Sequence, residues 1–481
     1  MDSPSRAPTR ERRLLPRRAE SALFHLFAFT LFVIGVLDPG VSQAVPLFAR
    51  QTGQPCAACH AGGQFPELTP FGRVFKLTGY TIGTHTVPVS AMAVVSASHV
   101  ANTSKSDDPA ADFQKNGDPI FASASVFLGG KITNKMGGFA QITYDNYAGQ
   151  SDNGDFHGHT GADNIDVRYA DQFTTGGKSV IWGISANNNP SIADPWNSAA
   201  AWMQYVPVPS PTSSSFIDGN APYPGFAAGG NLAGLSAYAL WNQLLYVEVG
   251  NYRSATGLAS IMSAGVADAE KTKLRGNNPY WRLALTRTWG AHNLMVGTSG
   301  MAAKVYDDPL DTSDPSTINH FRDFGIDSQY QYLSADHAVT VQVAWLRDHH
   351  RYPDFLVGQP VVDVNGDALP VTNGSDTARV FRAKGSYVYE ARYGGSLSWF
   401  KQTGTTNSLL YDPTRVYGNV SANPGITGET FEAFYTPVQN LRLGAQYTLY
   451  DRYNGATRSY DGQGRNPRDN NSLFLYAWVA Y

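Results

Sequence analysis

Over most of its length this chain repeats one pattern. Apolar side chains occupy every second position for several residues, and a turn-rich gap follows. The run His337–Arg347 places Val339, Val341, Val343 and Trp345 on one face and Thr340, Gln342 and Ala344 on the other. Leu441, Leu443, Ala445, Tyr447 and Leu449 alternate with Arg442, Gly444, Gln446 and Thr448. Trp281, Leu283 and Leu285 alternate with Arg282, Ala284 and Thr286, and Ala140, Ile142 and Tyr144 with Gln141, Thr143 and Asp145. A period of two is that of a β-strand with one apolar and one polar face. Aromatics near the segment ends fit strands that face lipid outside and water inside, with aromatic girdles. A soluble β-sandwich also alternates, so the pattern alone leaves both architectures open.

Three further features favour the membrane barrel. The chain ends at Tyr481, and Leu473, Leu475, Ala477 and Val479 lie on the same strand face as that residue. A terminal aromatic on such a strand resembles the assembly signal of bacterial outer-membrane barrels. Phe474, Tyr476 and Trp478 form the other face, which points into the lumen or onto a plug. At the other end, Arg6, Arg10, Arg12, Arg13, Arg17 and Arg18 precede an uncharged apolar stretch, Ala22–Leu37, and the small-x-small triplet Ser42-Gln43-Ala44. This is the plan of a secretory signal peptide over residues 1–44. Its apolar stretch is shorter than the ~20 residues a membrane helix needs, and no other segment of the chain qualifies. Charged residues are only 16% of the chain, against roughly 25% in ordinary soluble domains. The formal net charge of -3 offers no basic field for nucleic acid.

Sixteen candidate strands start near 87, 119, 136, 163, 178, 236, 244, 278, 292, 321, 337, 379, 393, 428, 440 and 472. The expectation is an all-β, transmembrane outer-membrane β-barrel of about 16 antiparallel strands over residues 86–481. Short connections at 288–292, 334–337 and 436–440 should be periplasmic turns. Longer ones at 148–162, 188–235, 304–320, 350–377 and 451–471 should face outward, with 188–235 folding into the lumen or capping the mouth.

The only two cysteines are Cys56 and Cys59, and His60 follows at once. C-x-x-C-H is the attachment signature of c-type haem. Two thiols bond one macrocycle, and the adjacent imidazole coordinates its iron. A redox dithiol would open a helix after a strand, and no βαβ pattern surrounds this one. A zinc site would need further ligands. Two cysteines also exclude a disulfide scaffold. One haem c is therefore expected, with Cys56 and Cys59 as attachment residues and His60 as the proximal iron ligand. Downstream, Thr69 before Pro70 reads as a helix N-cap. Arg73 and Lys76 are candidates to pair with haem propionates. Met92 or His85 is the candidate distal ligand, with His99 a further possibility. The segment 45–85 is small for a cytochrome domain and needs shelter from the rest of the chain.

Two acidic groups occur in the expected outer loops. Asp152, Asp155, His157, His159 and Asp163 carry oxygen and imidazole donors suited to divalent first-row metals such as ferrous iron. Asp307, Asp308, Asp311 and Asp314 form the second. Solvated barrel loops are ordinarily rich in Asp, which explains either group without a metal.

The segment Phe48-Ala49-Arg50-Gln51-Thr52-Gly53, the Cys56–His60 motif and the run Leu68–Tyr80 together resemble the fused cytochrome–porin family of bacterial outer membranes. Beyond them the likeness is architectural. The resemblance implies a single haem c near the N-terminus, lodged as a plug in a barrel of about sixteen strands. It implies electron transfer from an extracellular donor, ferrous iron in the known cases, to a periplasmic carrier such as a soluble cytochrome c. An iron:cytochrome c oxidoreductase activity would follow from that. The alternative from another class is a solute porin in which the haem gates or senses.

Overall fold

The computed structural model describes residues 46–63, 66–102, 117–150, 156–196, 231–265, 271–353, 374–411 and 418–481. The expected signal peptide lies outside the described residues. Sixteen strands form one closed barrel. They are β1 Val89–Val100, β2 Pro119–Lys131, β3 Met136–Gln150, β4 Phe156–Thr175, β5 Lys178–Asn187, β6 Leu232–Trp241, β7 Leu245–Ser254 and β8 Asn278–Trp289. They continue as β9 His292–Tyr306, β10 Ile318–Leu333, β11 His337–Arg351, β12 Ser375–Tyr389, β13 Tyr393–Gly404, β14 Ile426–Val438, β15 Leu441–Arg452 and β16 Ser472–Ala480. Each pairs antiparallel with its sequence neighbours, and β1 closes on β16 with Ala97 opposite Leu475. Closure leaves no unpaired edge, which a wall of strands in lipid requires.

The strand count and order match the sequence reading. All the short turns lie at one end, including 176–177, 290–291, 334–336 and 439–440. The longer connections all lie at the other. One expectation fails. The sequence reads 148–162 as an outer loop, but β3 continues to Gln150 and β4 begins at Phe156. This hairpin extends beyond the apolar belt, where no lipid selects apolar residues. Its polar sequence, with Gly158 and Gly161, therefore carries no alternation to read. The longer connections 101–118, 255–277 and 405–425, not singled out in the sequence, share the same end.

The wall is inverted relative to a soluble protein. Val126, Leu128, Leu283, Leu285, Ile326, Leu397, Leu443 and Leu475 are exposed on its outside. Arg168, Arg282, Gln331, Gln342 and Thr448 are buried on its inside. Phe474 is buried and Tyr476 donates to the Glu432 carboxylate, so the second face of β16 points inward as expected. Aromatics bracket the apolar outer belt. Trp241, Trp289, Tyr389, Tyr393 and Tyr435 lie at the turn end, with the Tyr393 and Tyr435 rings 5.1 Å apart. Trp281, Phe324, Trp345, Phe381 and Trp399 lie toward the loop end, with Phe381 and Trp399 5.4 Å apart. From Phe324 to Tyr332 on β10, a tilted strand climbs about 20 Å, close to the ~25 Å apolar band of a membrane barrel.

Among the described residues, Leu274, Tyr411, Ala422 and Tyr460 of the longer connections pack on inward-facing wall residues toward the loop end, and two segments reach deeper into the lumen. One is the segment ahead of β1, which carries α1 Pro46–Thr52, α2 Cys56–Cys59 and α3 Pro70–Leu77. The other is the start of the β5–β6 connection, where α4 Pro190–Ala193 leads to Trp196, only 1% exposed. The expected inward fold of this connection thus holds over 188–196, and 197–230 lies outside the described residues.

Candidate functional site

The five-residue motif is held by two short helices clamped together. Pro55 sets the entry to α2, and its carbonyl accepts from Ala58 N at 3.0 Å. His60 leaves the helix in extended conformation (φ -113°, ψ 133°), with its amide still donating to Cys56 O at 2.8 Å. It pairs with Leu68 in an isolated bridge, and Ala61 N donates to Glu67 O at 2.8 Å. The chain then turns into α3. Thr69 caps it as the sequence indicated, accepting from Gly72 N at 3.1 Å, with Pro70 in the first turn. Thr69 also ties α3 to α2: its amide donates to Cys59 O at 2.8 Å and its hydroxyl to Ala58 O at 2.5 Å. Gly72 sits against the same carbonyl, so a Cβ there would lie 2.2 Å from Cys59 O.

Cys56 and Cys59 are three residues apart on one helical turn, which places both thiols on one side. Cys56 is buried and meets Gln439 Oε1 of the β14–β15 turn at 3.6 Å. Cys59 is half-buried, and burial pushes its thiol up to about 11, with Cys56 adding to the effect. His60 keeps an accessible edge, yet burial lowers it to about 4 against a smaller opposing effect from Glu67. Its imidazole is therefore neutral at physiological pH, the form that ligates metals. Phe71 on α3 is 37% exposed. Two thiols on one turn, a neutral imidazole next in sequence and an uncovered aromatic on the adjoining helix fit a covalently held haem c.

Charged and polar side chains anchor this segment to the wall. Lys384 of β12 meets Glu67 at 2.7 Å, both largely buried. Tyr80 donates to Asp166 of β4 at 2.6 Å. Gln51 donates to Tyr80 O and Ile82 O at 2.6 and 2.8 Å, and its carbonyl accepts from Lys131 N at 2.9 Å. Phe48, Phe75 and Tyr80 form an aromatic knot that reaches Phe139 of the wall.

The structure corrects the reading of Arg73 and Lys76 as propionate partners. Arg73 is buried and donates to Leu68 O at 2.7 Å, Gln331 Oε1 at 3.1 Å and Asn293 Oδ1 at 2.6 Å. Lys76 donates to Ile192 O and to Asp194 O. Both cations are committed to the wall or to the inward β5–β6 segment. The guanidiniums of Arg73 and Arg282 each stand 5.8 Å from the centroid of the Trp196 ring. Arg282 in turn pairs with Asp327 and Asp194. The anchors Glu67, Gln51, Lys384, Arg282 and Asp327 were not picked out in the sequence. The signal available was a charge on the polar face of an alternating run, as at Arg282 and Lys384.

The distal candidates separate. Met92 sits on the lumen side of β1, between buried Ser90 and Val94 and paired with Ser125 and Ala480. His85 is exposed in the connector before β1, and His99 is exposed toward the loop end. Of the first acidic group, Asp152, Asp155 and the His157 side chain lie outside the described residues. His159 bonds Ala264 O at 2.7 Å, and Asp163 accepts from Thr143 at 2.9 Å. In the second group Asp308, Asp311 and Asp314 each accept a backbone amide two residues on, and Asp307 accepts from Asn319. Among the described residues no three His, Cys, Asp or Glu converge on a metal position.

No protein-family model and no curated protein matches the chain. Solved structures similar to it include OmpF of Salmonella typhi, in a complex with daunomycin, at 13% identity and a TM-score of 0.43 over 82% of this chain and 97% of that one. The outer-membrane channel DcaP of Acinetobacter baumannii gives 13% and 0.43 over 82% and 96%. OmpT of Vibrio cholerae gives 10% and 0.38 over 82% and 97%.

Proposed function

We propose that this chain is an outer-membrane cytochrome–porin with one haem c, which carries electrons from an extracellular donor, ferrous iron, to a periplasmic carrier. The observation that carries the reading is the C-x-x-C-H motif pinned in the turn-side half of a closed, lipid-facing barrel. A bound haem c would supply one-electron exchange at that position. Cys56 and Cys59 would hold it covalently, and neutral His60 would supply a nitrogen ligand to its iron. Met92 is the candidate for a second iron ligand, because it lies on the lumen side of β1 whereas His85 is exposed in the connector before that strand.

The remaining residues do the work of position. Thr69 and Gly72 lock α3 onto the Cys59 carbonyl, so the thiols and imidazole move as one body. Lys384 neutralises Glu67 beside His60. Short turns face the periplasm in membrane barrels, which puts the motif near a soluble carrier on that side. The ~30 Å apolar thickness is too wide for useful tunnelling, so the donor must come down the lumen from the loop end or be met there by the loops.

The test is a haem-stained gel and visible spectrum of isolated outer membranes, before and after Fe(II). Covalent haem in that fraction, reduced by Fe(II), is the expected result. Haem indifferent to Fe(II) keeps the architecture and removes the donor. No haem there removes the reading. The solute porin with a haem gate predicts high conductance in planar bilayers, where the conduit predicts little.

A further inference from the structure

We propose that the outward face of β9–β13, at the loop end, binds the phosphate groups of an anionic glycolipid headgroup in the outer leaflet. Lys304, Arg322, Arg347, Arg351, Arg379 and Lys401 are exposed there, with His320 beside them. The register sets them in adjoining rows. His320 lies opposite Lys304 on β9 and Arg351 on β11. Arg322 faces His349, and one step nearer the membrane Arg347 faces Arg379 directly across β11 and β12. Lys401 pairs with Phe381 in the next row.

Two facts make this patch more than a solvated rim. Like charges directly opposite on a sheet repel, and Lys304, Arg322, Arg347, Arg379 and Lys401 have no ion pair among the described residues. The acids of the same strands, Asp323, Asp327, Asp348 and Asp376, are buried on the lumen face and cannot fold round to the outside. The height is also specific. The cations begin one step loop-side of Phe324, Trp345, Phe381 and Trp399, the aromatic row that marks the upper limit of the apolar belt. That is the depth of lipid headgroups. The patch is confined to one side of the barrel. On β14 and β15 the outward charges at this height are Glu429 and Asp451. Arginine forks match phosphate oxygens bidentately, so the occupant is a headgroup with more than one phosphate, held at a fixed lateral position.

The inference rests on the barrel's placement in the outer membrane and not on its haem. Full-length protein is titrated with phosphatidylethanolamine vesicles containing diphosphorylated lipid A, and with matched vesicles containing dephosphorylated lipid A. The wild type should bind only the first. The triple variant Arg322→Gln, Arg347→Gln, Arg379→Gln should bind it about a hundredfold more weakly, at roughly 1 kcal/mol per cation near an anionic surface. Arg253→Gln on β7 should bind as the wild type does. The heat-dependent gel mobility of a folded barrel checks each variant, and the Lys-for-Arg triple variant, which keeps the charge but loses the forks, should bind between the wild type and the Gln triple variant. Equal binding by the Gln triple variant and the wild type overturns the proposal. So does inorganic pyrophosphate binding as tightly as lipid A, which would make the site one for a free anion. The variant Cys56→Ala, Cys59→Ala should bind lipid A normally, so loss of the haem reading would leave this result standing.

Discussion

Lys384 and Glu67 meet 2.7 Å apart inside the barrel, one from the wall and one from the segment that carries the thiols. A buried pair of this kind adds little net stability, but removing one partner strands the other charge, at a cost of about 3–5 kcal/mol. Lys384→Met should therefore release residues 46–87 to limited proteolysis, and the Glu67→Gln, Lys384→Met double variant should restore much of the protection. A double variant as labile as the single one would show that the pair is not coupled. The cysteines behave differently. Cys56→Ala with Cys59→Ala should abolish covalent haem while heat-modifiable gel mobility reports an intact barrel, because neither side chain belongs to a strand. Met92→Leu should shift the spin state or potential of the bound haem, and an unchanged spectrum would exclude Met92 as a ligand. The motif was legible because its chemistry fixes residue types and spacing. Its anchors were not, because Arg73, Lys76 and Gln51 find their partners outside the segment 80 to 258 positions away, and a lone sequence carries no trace of such a meeting.

The α2–α3 contact is a close joint in the plug. A methyl at Gly72 would stand 2.2 Å from Cys59 O, so Gly72→Ala must push α3 off α2. Haem staining should fall sharply in that variant while the barrel still folds. Gly53→Ala makes the contrast: it meets nothing within 4 Å, but its φ of +65° costs an L-residue about 1 kcal/mol, and staining should stay near the wild-type level. Strands were the easiest elements to read. Water on one side and lipid on the other impose a period of two, and turn chemistry marks the ends. Where a strand rises above the lipid, as over 156–163, that selection stops and the sequence looks like loop.

At the scale of the barrel, the described residues fill the lumen with residues 46–80 at the turn end and with side chains of the longer connections toward the loop end. Planar-bilayer recordings of the intact protein should show low conductance, and deletion of residues 46–80 should raise it severalfold. Equal conductance would mean that the pore runs past the segment. The chain's arrangement has a consequence for how such a molecule is made. The amide of Ala91 donates to Tyr481 O, and that of Tyr481 donates back to Ala91 O, so the segment ahead of β1 and the C-terminus leave the wall on the same side as the short turns. During insertion only the loop-bearing ends of hairpins have to traverse the bilayer. The thiol-bearing segment stays throughout on the side of the short turns, where, on the proposed function, haem would be joined to it before the first and last strands meet.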